Sequence, residues 1–257
     1  MNIFIDTADL AEIREACSWG VVDGLTTNPS LIRKAVDARQ EEDLEIPKYI
    51  EDICRLVHGP VSLEVISLDA DAMVSEAIAL YERFNPPNQN VVIKIPVNTN
   101  NETDGAPDFE GLKAIRRLAE LAIPVNATLI MTPEQALLSA KAGARYVSPF
   151  MGRVDDFERS SAGTQADGPT VLAGVKLLEE IAQIFQAYSF ECSIIAASVR
   201  HIQHIRAAEL AGVQIATIPF AILREMVRHP KTVEGVKRFS DDVVPQYASL
   251  FSSVQSQ

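Results

Sequence analysis

Basic charge is scarce in this chain. Over 257 residues, 23 Lys and Arg stand against 35 Asp and Glu, a formal net charge of −12. Duplex nucleic acid and anionic membranes both need a basic face, so neither is expected as a partner. Small anions stay open, because a few local Arg or Lys can override the global sign. Cysteine is sparse too: Cys17, Cys54 and Cys192 are odd in number and form no Cys-x-x-Cys pair. They read as reduced thiols of a cytoplasmic protein. No apolar run approaches the roughly 18 residues of a transmembrane helix. The start, Met1-Asn2-Ile3-Phe4-Ile5-Asp6, meets a charge too soon for a signal peptide. Gly-x-Gly-x-x-Gly, Walker A and Gly-x-Ser-x-Gly motifs are all missing, which speaks against dinucleotide, P-loop and α/β-hydrolase sites. His201 and His204 are three apart with no third ligand in the sequence, so no metal is expected, and no other cofactor.

Aliphatic material is plentiful, with 47% apolar residues. Short β-rich runs recur at residues 2–6, 24–27, 61–66, 91–97, 125–130, 145–150, 192–197 and 213–218. Several are apolar throughout, such as VVIKI and SIIAA, as befits parallel strands covered on both faces. Helical spacing fills the intervals: Leu10, Ile13 and Ala16-Cys17; Ala72, Met73, Ala77, Leu80 and Tyr81; Leu112, Ile115, Leu118 and Ala119. Thr132-Pro133-Glu134-Gln135 carries a capping box with Pro at the first helical position. Eight β/α units of about 32 residues fit a single (β/α)₈ TIM barrel, whose length is typically ~250 residues. An open doubly wound sheet is the alternative, but it usually carries a Gly-rich turn after strand one. One domain over 1–257 is expected, with a helical extension at about 232–257. There Val233, Val236, Phe239, Val243, Tyr247, Leu250, Phe251 and Val254 form an apolar stripe that Pro245 interrupts. It suits either a cap on the barrel or a contact between subunits.

Barrel chemistry sits at the C-terminal ends of the strands, so polar residues there are the candidates. Lys94 stands out, inside the most apolar strand of the set; a lysine is almost never fully buried without a partner or a task. Burial disfavours the ammonium and yields an amine able to attack a carbonyl. The alternative is a buried Lys–carboxylate pair that merely fixes the core. Asp6 and Glu64, at strand ends facing the same interior, can divide the proton transfers of imine formation and aldol cleavage. Because anionic neighbours favour the ammonium, one acid is expected protonated or held off the amine by water. Asn28, Thr26, Asn126, Thr128 and Ser148 suit a polyhydroxylated ligand, with Phe150 as pocket wall or core, although Asn-Pro-Ser at 28–30 is also a helix start. Arg153, Ser198 and Arg200 suggest an oxyanion site, aided by helix N-termini after strands six and seven. Strand eight offers only Thr217.

These residues lie in stretches that resemble a known family: FIDTA at 4–8, GLTTNPS at 24–30, KIP at 94–96, EGLKA at 110–114, NATL at 126–129, SPFMGR at 148–153 and ASVR at 197–200. From Asn2 to about Phe239 the chain resembles the transaldolases, specifically the compact group that includes the fructose-6-phosphate aldolases. The resemblance implies a metal-free class I aldolase mechanism on sugar phosphates, with Lys94 forming the Schiff base and Asp6 as acid/base at the cleaved bond. Glu64 would act at the imine through a water held by Thr128. Asn28, Asn126 and Ser148 would hold the dihydroxyacetone portion, and Arg153, Ser198 and Arg200 the distal phosphate. Glu64 and Phe150 match the transaldolases, where the fructose-6-phosphate aldolases carry Gln and Tyr. The compact relatives form decamers of two pentameric rings, so a homo-oligomer is expected. Two stretches depart from the compact pattern: the polar insertion at 98–109, read as a surface loop, lid or subunit contact, and a second around 36–47.

Overall fold

The computed structural model describes residues 1–39, 45–102, 108–161 and 172–251. Parts of both departing stretches, 40–44 and 103–107, lie outside the described residues. By its contacts the chain divides into a unit Met1–Leu223 and a unit Arg224–Gln257.

The first unit is a closed barrel of eight parallel strands in sequential order: β1 (Asn2–Asp6), β2 (Gly24–Thr26), β3 (Val61–Glu64), β4 (Val91–Pro96), β5 (Val125–Ile130), β6 (Tyr146–Pro149), β7 (Ser193–Ala196) and β8 (Ile215–Ile218). Between them run α1 (Leu10–Ser18), α2 (Pro29–Arg39), α3 (Ile46–Leu56), α4 (Ala70–Phe84), α5 (Glu110–Glu120), α6 (Pro133–Ala142), α7 (Met151–Ser161), α8 (Leu172–Ala187) and α9 (Ile202–Leu210). Alternation sends Ile5, Leu25, Leu63, Ile93, Ile95, Ala127 and Ile194 outward beneath the helices, and all are buried. The box at Thr132 forms as expected: its side chain accepts from the Gln135 N–H and the Gln135 side chain returns to the cap, while Gly143 ends α6 in the left-handed region at φ 103°.

Six of the eight strands are shorter than their sequence runs, and for β3 and β8 the cause is visible. β3 ends at Glu64 rather than Ile66 because the Ile66 and Ser67 N–H groups donate to the Glu76 carboxylate of α4, at 2.8 and 3.0 Å. β8 starts at Ile215 rather than Val213 because the Val213 N–H closes the end of α9, donating to Ala208 O at 3.1 Å. All three amides are captured by neighbouring helices, which spacing along the chain does not reveal.

Of the 98–109 insertion, the described base is pinned to the barrel unit. Thr99 is buried, its hydroxyl donates to Leu68 O at 2.6 Å, and its N–H donates to Asp108 Oδ1 at 3.2 Å. In the second unit, α11 (Pro230–Asp241) and α12 (Pro245–Ala248) stop and restart around Pro245. Their apolar residues are exposed, among them Val233, Val236, Phe239 and Tyr247. A short helix, α10 (Phe220–Glu225), spans the division between the units.

Inside the barrel the lower layer is apolar: Phe4, Ile195 and Ile215 pack together with Tyr146 against them. Gly24 sits beside this layer. A Cβ there would lie 2.5 Å from the Phe4 ring, and Phe4 is itself buried with no room to swing away. Gly24→Ala therefore overfills the barrel and is expected to cost roughly 1–3 kcal/mol of stability, read as a lower urea midpoint at unchanged slope.

Candidate active site

Above the apolar layer the interior turns polar. In register, Glu64 on β3 pairs with Lys94 on β4, which pairs with Asn126 on β5. Lys94 is 5% exposed, and its Nζ lies 3.3 Å from Glu64 Oε2 while donating to Thr27 O at 3.3 Å. Of the two acids, Glu64 is in direct contact with the amine; the expectation that one acid is protonated or held off the amine therefore falls to Asp6. A charged amine in a dry interior needs an opposite charge beside it, and parallel register supplies the nearest one.

Asp6 ends β1 beside Thr26 on β2, whose hydroxyl donates to Asp6 Oδ1 at 2.7 Å. The Thr26 oxygen also lies 2.5 Å from the Thr217 hydroxyl of β8. With the Thr26 proton given to Asp6, Thr217 must be the donor to Thr26. Thr217, without a task in the sequence, thus supports Asp6 through Thr26. Burial pushes the Asp6 carboxyl above its ordinary range, while the Thr26 hydrogen bond and the Lys94 charge pull it back down.

A second buried chain fixes the floor. Ser148 Oγ donates to Asn126 Oδ1 at 2.7 Å, and Asn126 Nδ2 donates to Ser62 Oγ at 3.2 Å. The Asn126–Ser62 and Thr26–Thr217 bonds each join strands two apart in the ring, so all four side chains point into the barrel. Ser62 was not singled out in the sequence, where a small hydroxyl between Val61 and Leu63 carries no signal. Thr128 lies one inward step beyond Asn126. Its hydroxyl is buried and, among the described residues, has no protein partner. Such a group needs a water or ligand partner to offset its desolvation. Beside it Leu129 has φ 58°, at the register irregularity between β5 and β6. Left-handed backbone is uncommon for a bulky residue and costs energy that the surroundings must supply.

Asn28 does start a helix: its Oδ1 accepts from the Leu31 N–H at 3.0 Å. Phe150 continues β6 by one bridge to Ala197. Its ring centroid lies 5.9 Å from Lys94 Nζ and 5.2 Å from the Arg153 guanidinium.

The oxyanion candidates gather where α7 begins. Arg153 lies in the first turn of α7, exposed. Ser198, just past β7, is left-handed at φ 58°. Gly152 makes the close approach possible, since a Cβ there would lie 2.2 Å from Ser198 O and 2.8 Å from Arg200 Cγ. Arg200 runs past this point and donates to Asp156 Oδ2 at 2.8 Å. Two amides near the starts of α7 and α9 are already engaged. Met151's donates to Ala197 O and Arg200's to His204 Nδ1, at 3.1 and 3.2 Å.

A closed eight-stranded parallel barrel with a buried lysine and two carboxylates at its strand ends has the architecture of a barrel enzyme. The chain matches the Transaldolase/Fructose-6-phosphate aldolase family over residues 3–255 and belongs to it. It is 44% identical over 243 residues to a probable transaldolase of Prosthecochloris aestuarii, covering 94% of this chain and 97% of that protein. A probable transaldolase of Syntrophobacter fumaroxidans is 46% identical over 242 residues, covering 94% and 96%. One from Aquifex aeolicus is 43% identical over 242 residues, with the same coverage.

The Asp6 carboxyl offers a direct check on this geometry. The Thr26 hydroxyl donates to its ionised form and so lowers its pKa. Thr26→Val removes that donor, and the Asp6 carboxyl resonance, followed by ¹³C NMR, is expected to titrate at higher pH than in the parent.

Proposed function

We propose that the protein is a transaldolase that moves a dihydroxyacetone unit between sugar phosphates through a Schiff base on Lys94. The observation that carries this reading is the buried Lys94–Glu64 contact at 3.3 Å, with Asp6 on the same interior face. Glu64 can take the ammonium proton, and the neutral amine then adds to the C2 carbonyl of a ketose phosphate. The carbinolamine hydroxyl leaves as water on receiving a proton from Glu64, through a water that Thr128 can hold, and an iminium remains beside the Glu64 carboxylate. Asp6 then takes the C4 hydroxyl proton. The C3–C4 pair flows into the iminium to leave an enamine, and the aldose departs. An acceptor aldehyde reverses these steps: C3 attacks its carbonyl carbon, Asp6 returns the proton, and water releases the new ketose. A carboxyl whose pKa burial raises is suited to receiving and returning a proton.

The remaining candidates fit the same substrate. Asn126, Ser148, Asn28 and Thr26 would hold the hydroxyls of the dihydroxyacetone portion, with Phe150 as wall. Arg153, Ser198 and Arg200 would hold the distal phosphate. The donor would be sedoheptulose 7-phosphate or fructose 6-phosphate and the acceptor glyceraldehyde 3-phosphate or erythrose 4-phosphate, a reaction of the pentose phosphate pathway. The second reading is a fructose-6-phosphate aldolase releasing free dihydroxyacetone, since the family's description covers both activities. Glu64 and Phe150 favour transfer. A homo-oligomer belongs to the same proposal, supported by the exposed apolar residues of the second unit. So does a cytoplasmic location, supported by three free cysteines.

Borohydride reduction in the presence of fructose 6-phosphate, read by intact mass, is expected to give a stable adduct in the parent protein and none in Lys94→Ala. An unmodified parent would overturn the mechanism. Release of glyceraldehyde 3-phosphate at full rate without an aldose acceptor would decide for the aldolase. Arg153→Ala is expected to weaken phosphorylated donors far more than free dihydroxyacetone, and equal losses on both would remove its assigned role.

A further inference from the structure

Behind the Arg200 segment lies a buried polar pair that the proposed chemistry does not use. His204 of α9 is 1% exposed and Asp155 of α7 is 5% exposed. The Arg200 N–H donates to His204 Nδ1 at 3.2 Å, which makes Nδ1 the bare nitrogen of the ring. The proton therefore sits on Nε2, which lies 2.9 Å from Asp155 Oδ2 and donates to it. The other Asp155 oxygen accepts the Gly174 N–H of α8 at 2.8 Å. One imidazole and one carboxylate thus tie three helices to a single loop amide.

We propose that the His204–Asp155 pair is a positioning unit that aims the Ser198–Arg200 segment at the anionic end of the substrate. This rests on the reading above that this edge of the barrel mouth takes a phosphate. Only five residues, 197–201, connect β7 to α9. Within them Ser198 is held left-handed, with its carbonyl against Gly152, and the Arg200 amide is held by His204. From these two fixed points the Arg200 side chain passes Gly152 and reaches Asp156. The chemistry of the pair requires one tautomer. A proton on Nδ1 would point at the Arg200 N–H, donor against donor, and push the segment away. Burial, followed by the charge of His201, pulls the His204 pKa below its ordinary value and holds the ring neutral; Asp155 and Arg200, the other charged groups around it, act in opposite senses. The His201 ring lies against it, with centroids 3.8 Å apart. A purely structural filler would serve as well with apolar side chains, which avoid the desolvation of a carboxylate and an imidazole.

Asp155→Asn tests this with little change of shape. The Asn oxygen can still accept from Gly174, but its amide must donate to His204 Nε2, which drives the ring proton to Nδ1. The expected result is a KM for phosphorylated donors about tenfold higher, the worth of one well-placed hydrogen bond to a charged group. The kcat, and the kinetics with unphosphorylated dihydroxyacetone, should stay as in the parent. Inorganic phosphate, titrated by calorimetry, should bind correspondingly more weakly, and this arm needs no catalysis. If the parent forms no borohydride adduct, the functional reading fails while the phosphate titration still judges the positioning unit. A folded Asp155→Asn with parental phosphate affinity, or with equal losses on both donor types, would overturn the proposal. Should that variant not fold, ¹⁵N NMR of the parent imidazole decides: the proton is expected on Nε2 of His204, and a proton on Nδ1 would overturn it.

Discussion

A cation inside a closed barrel constrains everything around it. Lys94 is buried, so bulk water solvates it little and the interior must answer it with charge and oxygen. Glu64 stands at the neighbouring register position, and Thr27 O accepts from the same amine. Removing either member of such a buried pair strands the other charge, which typically costs about 3–5 kcal/mol. The positions are therefore bound to one another: the strand register that brings Glu64 beside Lys94 also sets Asn126 on its far side and, one inward step beyond, Thr128. In the proposed reaction the amine is consumed as an imine, and the carboxylate that neutralised it becomes the local proton carrier. Interactions that stabilise the resting barrel are thus the ones catalysis dismantles and restores.

The global charge is negative while the proposed ligand is an anion. Recognition then depends on a local arrangement, with Arg153 and Arg200 near the start of α7 and Asp156 already bonded to Arg200. An arginine paired in this way is pre-aimed, and an arriving phosphate shares or displaces its partner rather than ordering a free side chain. Ordering costs about 0.5–1.5 kcal/mol per long side chain, so the prior contact offsets part of what Asp156 takes away in charge.

Much of the barrel was legible because eight apolar runs alternate with helical periodicity. The strand ends were not, since Glu76 and the Ala208 carbonyl capture amides from other elements. Lys94, Glu64 and Asp6 were visible as charges where apolar residues belong. Thr217 was visible but without a task, because its partner Thr26 is 191 positions away in the chain. Ser62 gave no signal. Asp155 looks like any acidic residue of a helix, and only the folded structure brings it to His204. His204, three residues from His201, carries in the sequence only the signal of a metal ligand, and that without a third partner. Spacing tells which residues share a face of one element; it does not tell which residues of different elements meet.

The order of strands around the ring has a consequence for how such a barrel can change over generations. The residues proposed to make and break bonds come from β1 through β5, while those proposed to grip the phosphate come from the segments following β6 and β7. Reshaping the second arc alters which tail a substrate carries and leaves Lys94, Glu64 and Asp6 in register. Heredity can therefore vary appetite and reactivity on separate stretches of one gene, and a duplicated copy has a short mutational path to a new substrate that does not pass through an inert ancestor.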